Sequence, residues 1–164
     1  MKKVTVHALK DIHTVLTNKR KVGGAIEANS IRLRSGEEFQ HPVFTSIEQT
    51  RGVYQSVGFM TNDGERLIVN IDEISMMKNL EHKLICQLEN THAKKYLLTD
   101  TLQYLERLCE VNEGCLTSPF KREVEGLACD IGAKHLEENG YSDFVIYAEP
   151  DHNIISINQK SMLA

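Results

Sequence analysis

Basic side chains gather beside a pair of glycines early in the chain. Lys19, Arg20 and Lys21 are consecutive, and Gly23-Gly24 follows after a single residue. Arginine binds a phosphate through two parallel hydrogen bonds, and lysine binds it as a point charge. Glycine lets backbone N–H groups approach a phosphate closely. This combination predicts a site for a polyanion, with nucleic acid as the first candidate.

Other residues are candidates for the same surface. Arg32 and Arg34 are two residues apart on a predicted strand, where side-chain alternation places them on one face. Tyr54 is a candidate base-stacking residue, and Phe59 is either a second one or a core residue. The predicted nucleic-acid-binding set is Lys10, Lys19, Arg20, Lys21, Arg32, Arg34 and Tyr54.

Other chemistries have less support in the sequence. His7 and His13 lie in the basic part, but their residue type alone does not place them together for acid–base catalysis. His82 and Cys86 give one metal-ligand spacing where structural zinc needs two. The chain has no P-loop, no Gly-x-Gly-x-x-Gly and no Gly-x-Ser-x-Gly. We predict no catalytic residue, no metal and no cofactor.

Charge is sorted along the chain. Residues 1–34 carry eight Lys/Arg against two Asp/Glu, and the other 130 residues carry 11 against 21. Such asymmetry favours a polyanionic partner. Two alternatives stay open, because the acidic part can neutralise the basic part or engage a basic protein. The pI near 6.0 is low for a nucleic-acid-binding domain and supports these alternatives.

Length and composition limit the class of protein. The 164 residues suit one domain, which we predict over residues 1–164. No apolar run approaches 18 residues, so no membrane span is expected. The start lacks a signal-peptide pattern, which predicts a cytoplasmic protein. The four cysteines form no Cys-x-x-Cys pair, and we expect thiols rather than disulfides.

The first half of the sequence predicts mainly strands. Asp63-Gly64 between two β-prone runs predicts a hairpin. A short helix is predicted where apolar residues recur at spacings of three and four. The predicted elements are a strand at 4–7, a helix at 8–17, two strands turning near Asn29-Ser30, and hairpin strands at 53–60 and 66–71.

The second half predicts helices and a closing hairpin. Apolar stripes at helical spacing predict three helices. The first runs from Asp72 or Ser75 to residue 88. The second covers residues 97–109, with Thr99 or Asp100 as its cap and Gly114 at its end. The third runs from Ser118-Pro119 to Asn139-Gly140. A last hairpin is predicted from strands 144–148 and 154–157.

Strands and helices are segregated along the chain, which predicts an α+β fold. We expect a mainly antiparallel sheet, formed by the N-terminal strands plus a C-terminal hairpin and covered on one face by two or three helices. The predicted function is a small non-enzymatic protein that binds RNA or single-stranded DNA. The alternatives are an inhibitor or adaptor that binds a protein through its acidic helices, and an enzyme with an unfamiliar site. The helical stripes also leave room for a homodimer.

Overall fold

The computed structural model describes residues 3–113 and 117–148. The chain divides into two compact units, residues 1–99 (the N-terminal unit) and residues 100–164 (the C-terminal unit). The N-terminal unit carries 14 Lys/Arg against 11 Asp/Glu, a net charge of +3, and the C-terminal unit carries 5 against 12, a net charge of −7. The two units thus differ in sign, but the basic excess is confined to residues 1–34, because residues 35–99 carry 6 Lys/Arg against 9 Asp/Glu. The single domain over 1–164 stays a prediction.

The N-terminal unit begins with two helices, which eight short strands follow. The helices are α1 (Leu9–Thr17) and α2 (Lys19–Val22). The strands are β1 (Ala25–Glu27), β2 (Ser30–Leu33), β3 (Glu38–Gln40), β4 (Val43–Thr50), β5 (Val53–Met60), β6 (Arg66–Asn70), β7 (Ile74–Lys78) and β8 (Glu81–Lys83). Single 3₁₀ turns lie at Ile71–Glu73 and Ile85–Gln87, and α3 spans Thr91–Val111.

The strands form two antiparallel sheets, in the orders β6-β5-β4-β1-β8 and β3-β2-β7. Three pairs of consecutive strands, β1/β2, β3/β4 and β7/β8, pass from one sheet to the other across two residues. His41 (φ 49°) and Asn79 (φ 50°) stand at two of these corners in the left-handed region. The N–H of Ala28 donates to the Pro42 carbonyl, so backbone pairing continues through the corner. Corners of this kind let short strands enclose one core.

That core is built by α1 and both sheets. Ile12 and Val15 of α1 are buried against strand residues that include Ile26 and Ile31. Phe59 is fully buried, with its ring centroid 5.6 Å from that of Phe39, so it is a core residue rather than a stacking platform. The burial of one face of α1 leaves its polar face in solvent.

The C-terminal unit is helical where the structure describes it. It contains α4 (Ser118–Ile131), α5 (Ala133–Glu138), a 3₁₀ turn at Ser142–Phe144 and α6 (Val145–Ala148). Its buried apolar residues are Leu105, Val124, Ala128, Ile131 and Leu136. Gly132, at φ 81°, separates α4 from α5.

The structure confirms the α+β class, the antiparallel pairing, the helix at 8–17 and the hairpin of β5 and β6. The predicted helix at 72–88 is wrong, because this segment forms β7, β8 and the 3₁₀ turns. The β2–β7 register shifts so that Leu33 faces Ile74 while Arg32 faces Met76. An extra residue in β7 therefore turns both Ile74 and Met77 toward the core, and this bulge imitates the three-residue spacing of a helix.

Smaller corrections concern the ends of elements. Residues 4–7 belong to no strand. Helix α3 begins at Thr91 rather than near Thr99, since the Asn90 side chain accepts a hydrogen bond from the N–H of Ala93 and caps it. The cap of α4 is Thr117, one residue before the predicted Ser118.

The predicted strand at 144–148 is also wrong, because these residues are helical. The ring of Phe144 lies 6.1 Å from that of Tyr141 and 6.4 Å from that of Tyr147, and α6 packs against α4. This local packing outweighs the β propensity of Val145 and Ile146. The second strand of that hairpin, and the helix end predicted at Gly114, lie outside the described residues.

Candidate nucleic-acid interface

Helix α1 is fixed at its start by one carboxylate. The Asp11 side chain accepts hydrogen bonds from the backbone N–H groups of His7 (2.8 Å) and Ala8 (3.0 Å). These two bonds hold the pKa of Asp11 below its usual value. Because Ile12 and Val15 enter the core, Lys10 is left exposed on the polar face, with His13 one turn further on.

Helix α2 carries three consecutive cations. Lys19, Arg20 and Lys21 are exposed, and Val22 is buried and holds the turn against the core. Gly23 follows at φ 68°, a conformation that favours glycine. Since α2 follows α1 after the single residue Asn18, its three cations and Lys10 lie on two consecutive helices that are in contact.

A buried histidine fixes the turn after α2. His82 is 3% exposed; its Nε2 bonds the Gly23 carbonyl oxygen at 2.7 Å, and its Nδ1 accepts from the N–H of Val4 at 3.0 Å. This pairing requires a neutral ring with its proton on Nε2. Both nitrogens are therefore used in the fold. His82 lies in β8 and Cys86 in a 3₁₀ turn, so the helix-face metal pairing considered from the sequence does not exist.

The tip of the β4–β5 hairpin lies against α1. Arg51 (φ 52°) and Gly52 (φ 80°) form its two-residue turn, and Gln49 faces Tyr54 across the strands. The Tyr54 ring meets the His13 ring edge-on at 5.9 Å, and Gln49 Nε2 lies 3.5 Å from His13 Nε2. These contacts bring the exposed Arg51 to the helix that carries Lys10.

We call this region the basic surface. It comprises Lys10, His13, Lys19, Arg20, Lys21, Gln49, Arg51 and Tyr54. Among the described residues, Lys10, Lys19 and Lys21 form no ion pair. Asp11 is the one acid between residues 9 and 22, and its carboxylate is occupied by the helix cap. The positive charges of Lys10, Lys19 and Lys21 are therefore not neutralised by any ion pair within the described residues.

The two remaining predicted residues lie elsewhere. Arg32 is on β2 of the three-stranded sheet and pairs with Glu38 at 3.0 Å. This hydrogen bond, with smaller contributions from Ser30 and nearby cations, lowers the pKa of Glu38. Arg34 follows β2, and its N–H donates to the Glu73 carbonyl at 2.7 Å. Five of the seven predicted residues thus lie on α1 or α2 or against α1, and Arg32 and Arg34 do not.

Sequence reasoning missed Arg51. A detectable signal exists, since Arg51-Gly52 separates two β-prone runs. The contact between His13 and Tyr54 joins residues 41 positions apart, and no local pattern indicates it.

A second polar cluster lies inside the N-terminal unit. Glu27 of β1 is 1% exposed and accepts hydrogen bonds from Lys83 Nζ (2.9 Å), the N–H of Glu89 (3.1 Å) and the N–H of Asn90 (2.9 Å). Burial lowers the pKa of Lys83, but the hydrogen bond and charge of Glu27 outweigh it and leave that pKa raised. The Asn90 amide also donates to the carbonyls of His41 and Met60. We call these residues the Glu27 network; it anchors the start of α3 to the sheet.

The described residues give little support for a metal site, a membrane-spanning helix, a reactive thiol or a ligand-binding groove. No group of three or more His, Cys, Asp or Glu there is arranged to hold a metal ion, and no helix there is long and apolar enough to cross a membrane. Burial raises the pKa of the Cys109 thiol. A groove of about 550 Å³ lies between residues 3–7 and β8, and Lys3, Glu81 and Lys83 give it mixed charge.

Comparison with models of protein families, with curated proteins and with solved structures gives no significant match to this chain. The functional argument therefore depends on the geometry and charge of the surfaces described above.

Proposed function

We propose that this chain is a small non-enzymatic protein that binds nucleic acid, RNA or single-stranded DNA, on the basic surface. The observation that carries the proposal is the contact of His13 with Tyr54 and Gln49. It brings the β4–β5 hairpin, with Arg51 and Tyr54, against α1, which carries Lys10 and is followed directly by the three cations of α2. Lysine and arginine neutralise phosphates, and a tyrosine face stacks on an unpaired base.

The composition of the surface favours single strands over duplexes. Tyr54 is half-buried, so it has room for one base rather than a stack, and Phe59 lies in the core. An unpaired base can reach such a ring, whereas a base within a duplex is already stacked. Phosphate contacts then supply most of the affinity, and little sequence preference is expected.

Fluorescence anisotropy with labelled RNA, single-stranded DNA and duplex DNA of about 16 nucleotides tests the proposal. With about four phosphate contacts, affinity for single strands falls roughly 50-fold between 50 and 200 mM salt. The triple variant Lys19→Glu, Arg20→Glu, Lys21→Glu abolishes binding without lowering the melting temperature. Absence of binding to every probe at low salt would overturn the proposal.

The acidic C-terminal unit favours a second candidate, an inhibitor or adaptor that binds a basic protein. Glu106 and Glu110 are exposed one turn apart on α3. Burial raises the pKa of Tyr141, and Glu106, Cys109 and Glu110 raise it further by smaller amounts. A pull-down from the native host with the wild type and with Glu106→Gln/Glu110→Gln tests this candidate. A basic partner captured by the wild type alone supports it. A cytoplasmic location and a homodimer remain predictions.

A further inference from the structure

Strand β6 forms an edge of the five-stranded sheet; the guanidinium of Arg66, its first residue, lies over the Tyr96 ring at 4.5 Å, and its remaining residues have no such contact among the described residues. Leu67 and Val69 point inward and are half-buried, whereas Arg66, Ile68 and Asn70 face solvent. Ile68, the central residue, is 77% exposed. No described strand pairs with the outer side of β6. A row of free backbone N–H and C=O groups beside exposed apolar side chains is a template for another strand.

The other three sheet edges carry features that hinder such pairing. Strand β8 lies beside residues 3–7 and presents Glu81 and Lys83. Strand β3 has only three residues and carries Glu38, and β7 has an irregular register and ends in Lys78. Short length, charge and bulges are the usual protections of an edge. Strand β6 has five residues, of which the three central ones are apolar, and its one charged residue, Arg66, lies at its first position and contacts Tyr96.

The neighbour of β6 within its own sheet leaves Ile68 uncovered. Ile68 faces Gly58 of β5, which has no side chain to pack against it. A Cβ atom at Gly58 would clash with the Ser46 hydroxyl of β4, so β4 leaves no space for a side chain at this position. The apolar side chain of Ile68 therefore lacks a cross-strand partner on that side.

We propose that β6 pairs with β6 of a second copy of the chain, antiparallel and centred on Ile68, to form a two-fold dimer. In this register Ile68 faces Ile68 of the partner, and Arg66 faces the partner's Asn70. No like charges are opposed, and the two apolar side chains supply the missing cross-strand contact. The surface is thus complementary to itself, which identifies a second copy as its occupant. This inference is independent of the proposed nucleic-acid binding.

Cysteine cross-linking tests the register. Residues directly opposite in an antiparallel ladder have Cβ atoms about 4.5–5.5 Å apart, close enough for a disulfide after small adjustment. Ile68→Cys therefore gives a covalent dimer under mild oxidation. Asn70→Cys is the control, because its counterpart lies four residues away along the partner strand, about 13 Å distant. The wild type under the same oxidant measures any contribution of the native cysteines. Equal cross-linking at both positions, or none at Ile68→Cys, would overturn the register.

Light scattering tests the dimer itself. The wild type approaches twice 18.6 kDa as its concentration rises, whereas Ile68→Lys stays monomeric because two lysines would face each other. Val53→Lys is a matched control, since Val53 is also an exposed β-branched residue (61%) of the same sheet but lies outside β6. Circular dichroism checks that both variants fold. Ile68→Thr is a milder second variant, to be measured by light scattering if Ile68→Lys does not fold. A wild type that stays monomeric, a larger open assembly, or dimers that survive Ile68→Lys would contradict the proposal.

Discussion

The N-terminal unit contains two sets of charged residues that a count of charges does not distinguish. In the Glu27 network, a buried carboxylate is satisfied by Lys83 and by two backbone N–H groups. On the basic surface, Lys10, Lys19 and Lys21 are exposed and form no ion pair among the described residues. The first set has its partners within the fold. For Lys10, Lys19 and Lys21 of the second set the described residues supply no such partner, and this difference supports the proposal that the basic surface binds a ligand.

The largest effect is expected from Glu27→Ala. The substitution leaves the ammonium of Lys83 and the N–H groups of Glu89 and Asn90 without their acceptor, which costs about 3–5 kcal/mol of unfolding free energy. Urea denaturation measures the loss. Glu48→Ala is the control, because Glu48 is exposed on the same sheet and its loss changes stability by about 0.5 kcal/mol or less. Equal losses in both variants would remove the distinction between buried and exposed charges.

A smaller effect, on binding rather than stability, is expected from Tyr54→Ala. Removal of the ring weakens binding to a single-stranded oligonucleotide by about 1–3 kcal/mol, the usual contribution of a stacked base. Tyr54→Phe keeps the ring and its contact with His13, so its affinity stays close to that of the wild type. Anisotropy titrations of both variants give the comparison. If Tyr54→Phe and Tyr54→Ala bind equally weakly, the contribution of Tyr54 to affinity comes from its hydroxyl rather than from stacking.

The smallest effect is expected from Asp11→Asn, which lowers the stability of the protein and raises its affinity for single strands. The pKa of Asp11 is lowered in the fold, so its carboxylate stabilises the protein above its ordinary value of 3.8. This stabilisation is lost as the pH falls through the lowered folded-state pKa. The wild type therefore melts above Asp11→Asn at neutral pH, and the gap closes on acidification. Affinity for single strands rises slightly, because one negative charge leaves the basic surface. A variant that binds more weakly while fully folded would contradict this expectation.

Local signals predicted part of the fold. The Asp63-Gly64 turn and the apolar spacing of Leu9, Ile12 and Val15 each indicated a structure that a few residues determine. The segment from Ile74 to Leu88 was misassigned, because the bulge in β7 depends on pairing with β2, more than 40 positions earlier. Pairing between strands so far apart in the sequence produces no local hydrophobic periodicity from which the bulge could be predicted.

The candidate site shows the same limit. Composition indicated Lys10 and the cations at 19–21, which are local features of the sequence. It also included Arg32, whose partner Glu38 is set by the β2–β3 register. Arg51 joins the surface only because the β4–β5 turn reaches α1. Residue types can be read locally, but their convergence depends on the tertiary fold.

The most direct test of the central claim compares two charge-matched double variants. Lys19→Gln/Lys21→Gln and Arg32→Gln/Arg34→Gln each remove two positive charges from the N-terminal unit. Affinity for a single-stranded oligonucleotide, measured by anisotropy over a range of salt concentrations, should fall at least about tenfold in the first. Its log–log salt slope should become shallower by about 1.4. The second should stay within about twofold of the wild type, since Arg32 and Arg34 lie outside the basic surface. Equal losses in both variants would show that net charge alone drives binding and would contradict the account.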